Sequence, residues 1–169
     1  NSRQELIILA TCGCSDAGCE DEERFTRMYR YLPSGEIDSS FGNSGVTDGS
    51  PGYEPGWVKL DENDDILVTG GTAKRFEGHL FLAKYSDAGE ELWISDDQDL
   101  EVGTEGQSIL IDDEGNIIVA QDTGLSLGGD ERNRKFIMWK MDEAGTLIEN
   151  FGTNGRLEPE GYMTGMPMV

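Results

Sequence analysis

The sequence predicts an all-β chain built from about three four-stranded antiparallel repeats, and three observations carry that prediction. Across 169 residues, 23 glycines and only 5 prolines separate short apolar runs, the pattern of many turns rather than long helices. One row recurs three times without gaps: "RMYRYLPSG" (27 to 35), "FLAKYSDAG" (81 to 89) and "IMWKMDEAG" (137 to 145). Apolar residues at helical spacing never persist over the roughly ten positions a helix needs. The nearest helical candidate, "DAGCEDEERFTRMYRY" (16 to 31), reads better as a loop running into a strand.

The repeat can be followed through the chain. The terminal glycines of the shared row, Gly35, Gly89 and Gly145, lie 54 and 56 residues apart, and each follows a basic residue, Arg30, Lys84 or Lys140, by five positions. A β-branched, aliphatic row precedes each: "IILAT" (7 to 11), "ILVTG" (66 to 70) and "IIVAQ" (117 to 121). One domain spanning 1–169 is expected, with repeat 1 at about 5–50, repeat 2 at about 56–103 and repeat 3 at about 106–158.

The first copy begins at its second strand. In the second, "GWVKL" (56 to 60) is a strand, "DENDD" an acidic turn and "ILVTG" a strand, followed by the polar loop "TAKRFEG". "HLFLAKY" (79 to 85) alternates in the manner of a strand, "SDAG" turns the chain, and "EELWIS" (90 to 95) starts the last strand. The third copy repeats the plan with "QSILI" (107 to 111), "DDEG", "NIIVAQ", the loop "GLSLGGDERN", "KFIMWKM" (135 to 141), "DEAG" and "TLIENF" (146 to 151). "SFGNSGVT" (40 to 47) and "NFGTNGRL" (150 to 157) share a Phe-Gly-x-x-Gly core, expected as a corner leading out of a last strand, with Phe151 as anchor and Gly152 and Gly155 permitting the bend. "GYMTGMPMV" (161 to 169) aligns with the first strand of a further or closing blade.

Four short antiparallel strands in about 55 residues is the footprint of a β-propeller blade, and complete rings hold roughly 4 to 8 of them. Three blades are therefore expected to be part of a larger ring or an assembly. An open arc would present an apolar face and unpaired strand edges at each end.

Strand, "D-x-x-G/D" turn, "I-I/L-V" strand, "F/I-x-x-K-Y/M-x-x-x-G" and "S/N-F-G-x-x-G" together resemble the delta-60 type of β-propeller repeat of bacterial secreted and surface proteins. The resemblance covers Leu6 to about Leu157, although the second copy reads "ELWISDDQDLEVG" where the Phe-Gly tail belongs. It implies a four-stranded blade and an extracellular or cell-envelope setting, and no catalytic residue.

Composition narrows the partners. A formal charge of -21, from 34 acidic against 13 basic residues, repels nucleic-acid phosphate and anionic lipid, so neither nucleic-acid binding nor membrane insertion is expected. The longest apolar run, "LIILA" (6 to 10), is too short to span a bilayer. The chain starts on Asn1 and not Met, which reads as a processed or excised piece from which any signal peptide could have been removed.

Candidate sites are few. Cys12, Cys14 and Cys19 stand together, open to a small loop disulfide onto Cys19, to free thiols, or to a thiolate metal site for which no fourth ligand is near. "LDENDDIL" places Asp61, Asn63 and Asp65 at alternate positions, but Ile66 and Thr72 occupy the places of the EF-hand glycine and bidentate glutamate. With Asp112 and Glu114 of the second acidic turn, these are weak calcium candidates, and no other cofactor is expected. His79 has no nucleophile context, and acid pairs such as Glu90 with Glu91 or Asp96 with Asp97 read as solvated surface. Trp57, Trp93, Trp139, Tyr31 and Tyr85 would suit sugar-binding platforms if exposed, but as aligned strand aromatics they are expected between blades. Arg30, Lys84 and Lys140 are expected to share one structural role, covering a blade face or pairing with turn carboxylates. The leading expectation is a non-catalytic module with a structural or protein-interaction role, partnered by self-association or by further blades of a longer chain. The alternative is a carbohydrate-binding or carbohydrate-active propeller with its site in loops at a central channel.

Overall fold

A computed structural model of the chain describes residues 5–13, 24–72, 79–95, 105–122 and 136–159. Among them are eleven strands and no helix: β1 (Leu6–Cys12), β2 (Phe25–Tyr31), β3 (Val46–Pro51), β4 (Tyr53–Leu60), β5 (Ile66–Thr72), β6 (Leu80–Tyr85), β7 (Glu91–Ser95), β8 (Glu105–Ile111), β9 (Ile117–Asp122), β10 (Phe136–Met141) and β11 (Arg156–Leu157). They pair antiparallel into three sheets, β1-β2-β3, β4-β5-β6-β7 and β8-β9-β10-β11. Strand order follows chain order, so each sheet is a meander. The fold is all-β, and the first sheet has three strands where the others have four. The segment 161–169 lies outside the described residues.

The sheets stack in chain order, and the second has both faces covered. Along β6, Phe81, Ala83 and Tyr85 pack with Met28 and Phe41 of the first sheet's segment. Leu80 and Leu82 pack instead with Ile109, Val119, Ile137 and Trp139 of the third sheet. This is why "LFLAKY" is buried at every position: a strand between two neighbours needs apolar residues on both faces.

Five hairpin turns share one geometry. In each, the first residue donates its N–H to the carbonyl of the fifth and accepts at its own carbonyl from the fourth: Leu32 with Glu36, Asp61 with Asp65, Ser86 with Glu90, Asp112 with Asn116, and Asp142 with Thr146, all at 2.8–3.2 Å. The fourth residue takes positive φ, from 63° at Asp64 to 88° at Gly89, as in a type I turn closed by a left-handed residue. An oxygen on the first side chain reinforces the turn wherever one exists. Asp112 Oδ1 accepts from the N–H groups of Glu114 and Asn116 at 2.9 Å, and Asp61 and Asp142 do the same in their turns.

Two readings of the sequence change. The Phe-Gly-x-x-Gly corner leads into the last strand, not out of it. "TLIENF" contributes a single bridge, Leu147 to Met141, and β11, after the corner, is the strand that pairs with β10. The physical reason is a compact loop, written twice. Phe41 N–H donates to the Asp38 carbonyl and Gly45 N–H to the Phe41 carbonyl; Arg30 N–H then takes the Gly45 carbonyl and re-enters the ladder. Lys140 N–H takes the Gly155 carbonyl in the same way. A Cβ at Gly42 or Gly152 would stand 2.3 or 2.0 Å from the carbonyl oxygen four residues on, so this loop admits only glycine there.

The register of the aliphatic row also shifts by one in the first copy. Leu6 faces Tyr31, as Ile66 faces Tyr85 and Ile117 faces Met141. "LIILA", not "IILAT", is therefore the counterpart of "ILVTG" and "IIVAQ". In a strand one residue of slip exchanges the two faces, and here it sends Leu6 and Ile8 outward.

Candidate functional site

The recurring polar contact is a basic side chain held among carboxylates at the turn end of each sheet. Lys84 projects from β6 with its side chain 6% exposed, and its Nζ lies 2.9 Å from Asp61 and 3.3 Å from Asp65. Burial acts to lower the Lys84 pKa, but the bonds to Asp61 and Asp65 outweigh it and hold the ammonium above its ordinary value. Lys140 Nζ lies 2.7 Å from Asp112. Its bond, with those from Asn116, keeps the Asp112 carboxyl well below the usual carboxylate range.

Arg30 lies beside β1, but the described residues hold no counterpart of the turns 61–65 and 112–116 ahead of that strand, and Arg30 finds other acids. Its Nε meets Asp38 at 2.8 Å, and Glu5 stands 3.9 Å away. Asp38, lowered chiefly by bonds from Ser40 and then by Arg30, occupies the corner position held by Ile148 in the third copy. The missing turn carboxylate has thus been replaced from elsewhere in the repeat. The expectation that the aligned basic residues share one role is met: each pairs with carboxylates at the turn end.

These cations also reach across to the next sheet. Arg30 Nη1 donates to the Asp87 carbonyl at 2.6 Å and to Asp87 Oδ1 at 3.0 Å, and Lys84 Nζ stands 3.8 Å from Glu143. Asp87 and Glu143 hold the same second position in the turns 86–90 and 142–146. Beside each cation an aromatic ring lies on the next turn's glycine. A Cβ at Gly89 would meet the Phe41 ring at 2.8 Å, and one at Gly145 would meet the Trp93 ring at 2.8 Å. Gly42 N–H adds a bond to the Ala88 carbonyl at 2.9 Å. Trp93 therefore does in the second sheet, which lacks the Phe-Gly tail, what Phe41 does in the first. Sequence comparison missed this because Phe41 follows its turn glycine by six residues and Trp93 by four.

The remaining candidates fall into place around this arrangement. Asp61, Asp65 and Asp112 direct carboxylate oxygens at lysine ammonium groups, Asn63 contributes its backbone N–H to the turn, and Glu114 is an exposed turn residue that bonds Asn116 at 3.1 Å. Among the described residues no group of three or more His, Cys, Asp or Glu side chains is placed to hold a metal ion. Cys12 ends β1 with a free thiol; Cys14 and Cys19 lie outside the described residues, as do Asp96 and Asp97. His79 precedes β6 and its N–H donates to Thr72 Oγ1 at 2.8 Å. Glu91 accepts from Ser50 and from Tyr85, joining the first two sheets, and the Tyr85 hydroxyl is pushed up by burial and then by the Glu91 charge.

Of the five aromatics, Trp139 and Tyr85 are buried, Trp93 is packed against the second core and Tyr31 is half-buried. Trp57 differs from expectation and is 47% exposed, because it stands beside a bulge between Pro55 and Trp57 on an edge strand.

The two outer sheets differ from the middle one in what covers them. Leu6 and Ile8 are 58% and 42% exposed, while their counterparts Ile66, Val68, Ile117 and Val119 are at most 2% exposed. On the far side, Leu110 and Leu157 are exposed, and the Lys140 side chain is 19% exposed against 4% for Arg30 and 6% for Lys84. No family model matches the chain, and no curated protein matches it.

Proposed function

We propose that the protein is a non-catalytic interaction module of β-propeller type whose two end sheets seat further sheets of the same kind. The observation that carries this reading is the contrast between equivalent positions. Wherever a preceding sheet is present, the row represented by Ile66 and Val68 is sealed; in the first sheet, which none precedes among the described residues, Leu6 and Ile8 face outward. Fully burying side chains of this size is worth about 1.5–3 kcal/mol each, and the row continues through Tyr29 and Tyr31 on the same face.

The chain carries both halves of such a contact, the outer face of the first sheet and that of the third, so two copies can meet head to tail. A heterologous contact of this kind builds a ring or an open row, according to whether the rotation closes. Sedimentation velocity over a concentration series tests it. Wild type is expected to associate reversibly, more so with added salt because copies of charge -21 repel one another, and Leu6→Glu is expected to remain monomeric. Wild type that sediments as a single monomer throughout would reject the reading.

A further inference from the structure

Among the described residues, the third sheet ends in an unfilled copy of a contact made twice elsewhere. In the first sheet Arg30, Phe41 and Gly42 N–H grip the turn 86–90 through Asp87, Ala88 and Gly89. In the second, Lys84 and Trp93 grip the turn 142–146 through Glu143 and Gly145. The third sheet repeats the gripping side. Lys140 Nζ lies 6.0 Å above the Phe151 ring, as the Arg30 guanidinium lies 4.8 Å above Phe41, and Gly152 follows Phe151 as Gly42 follows Phe41. Phe41 is fully buried beneath its turn, whereas Phe151 is only partly buried.

The gripped side has an unfilled copy too, with one departure. Gly35 closes the turn 32–36 with φ 85°, but a Cβ there would meet nothing within 4 Å. Its second position is Pro33, where Asp87 and Glu143 stand in the other two turns. The first sheet of a second copy could thus offer Phe151 a glycine and offer Gly152 a carbonyl, but it offers Lys140 no carboxylate.

We infer that the exposed face of the third sheet is a docking site for a sheet of the same repeat type whose turn carries Asp or Glu at its second position and Gly at its fourth. Lys140 receives the carboxylate, Phe151 covers the glycine and Gly152 N–H takes the carbonyl between them. The chain's own first sheet, with Pro33, is the weaker occupant of the two. This rests on the reading of the end sheets as seats for protein and adds which turn the third sheet selects.

The test converts the chain's own first sheet into the preferred partner. Sedimentation velocity compares Pro33→Asp, Pro33→Ala and Pro33→Lys in the 169-residue chain, each first shown by thermal melting to keep the wild-type stability. Pro33 is exposed, and the equivalent turns already carry an acid at that place, so the fold is not at stake. Pro33→Asp is expected to associate about tenfold more tightly than Pro33→Ala, and Pro33→Lys no more tightly than Pro33→Ala. The Asp gain should shrink in added salt and vanish when Lys140→Met or Phe151→Ala is combined with it. Equal association of the Asp and Lys variants overturns the inference, as does an Asp gain that survives both second changes. If the Pro33 series is flat while Leu6→Glu still abolishes wild-type association, the docking rule falls and the interaction module stands. If every variant and wild type stay monomeric, both fall.

Discussion

In the second sheet Ile66 and Val68 lie sealed beneath the first sheet; in the first, Leu6 and Ile8 hold the same register against the same partner row and face outward. The strands are built alike, and only the neighbour differs. The comparison continues at the turn end, where Lys84 is enclosed by Asp61, Asp65 and Glu143, while Lys140 meets Asp112 and stays partly open. Burial here belongs to the stack as much as to the repeat, so equivalent substitutions should cost different amounts according to which side has been covered.

The largest difference is expected between the two lysines. Removing one partner from an enclosed charge group leaves unpaired carboxylates, at about 3–5 kcal/mol, so Lys84→Ala should lose that much in urea unfolding. Lys140→Ala should lose about 1 kcal/mol, near the value for partly exposed pairs. Next come the aliphatic counterparts. Ile66→Ala should cost about 2–4 kcal/mol by opening a cavity, and Leu6→Ala should stay within about 0.5 kcal/mol in the monomer. Equal costs for Ile66 and Leu6 would mean that the first sheet's outer face is covered in the monomer.

A smaller contrast separates two glycines with the same backbone strain. Gly35→Ala and Gly145→Ala both force an L-residue to positive φ, at about 1–2 kcal/mol. Only Gly145→Ala also pushes a methyl into the Trp93 ring, which should add about 1 kcal/mol or more. The smallest effect is that of pH. Asp112 is held below its ordinary value by Lys140 and Asn116, so its contribution is complete above the unfolded carboxylate pKa of about 3.9 and is lost as pH falls from there toward the lower folded value. In acid titration followed by thermal melting, Asp112→Asn should show a shallower loss than wild type below about pH 4.

Much of the fold was legible because its punctuation is written in glycine and acid. The ungapped row ending at Gly35, Gly89 and Gly145 placed one strand and one turn of each sheet correctly, since positive φ at the fourth turn position admits few residues. The aliphatic row of the first copy was harder: "LIILA" is apolar at five consecutive positions, so period alone does not choose between two faces, and only pairing with Tyr31 and Tyr29 does. The Phe-Gly corner was visible as a repeat, but its direction depends on backbone bonds from Gly45 and Gly155 that leave no side-chain pattern. The contacts at the turn end were the least legible: between sheets Trp93 replaces Phe41 from a different offset, and within the first sheet Asp38 replaces a turn carboxylate from a different segment.

The most direct measurement is intermolecular photo-crosslinking from a photoreactive residue placed at Ile8, with the exposed turn residue Glu114 labelled as the control. The open-ended stack predicts dimer adducts from position 8 that rise with protein concentration and map onto the outer face of the third sheet, around Leu110, Met138 and Leu157, with none above background from position 114. Adducts confined to the monomer at both positions would contradict it.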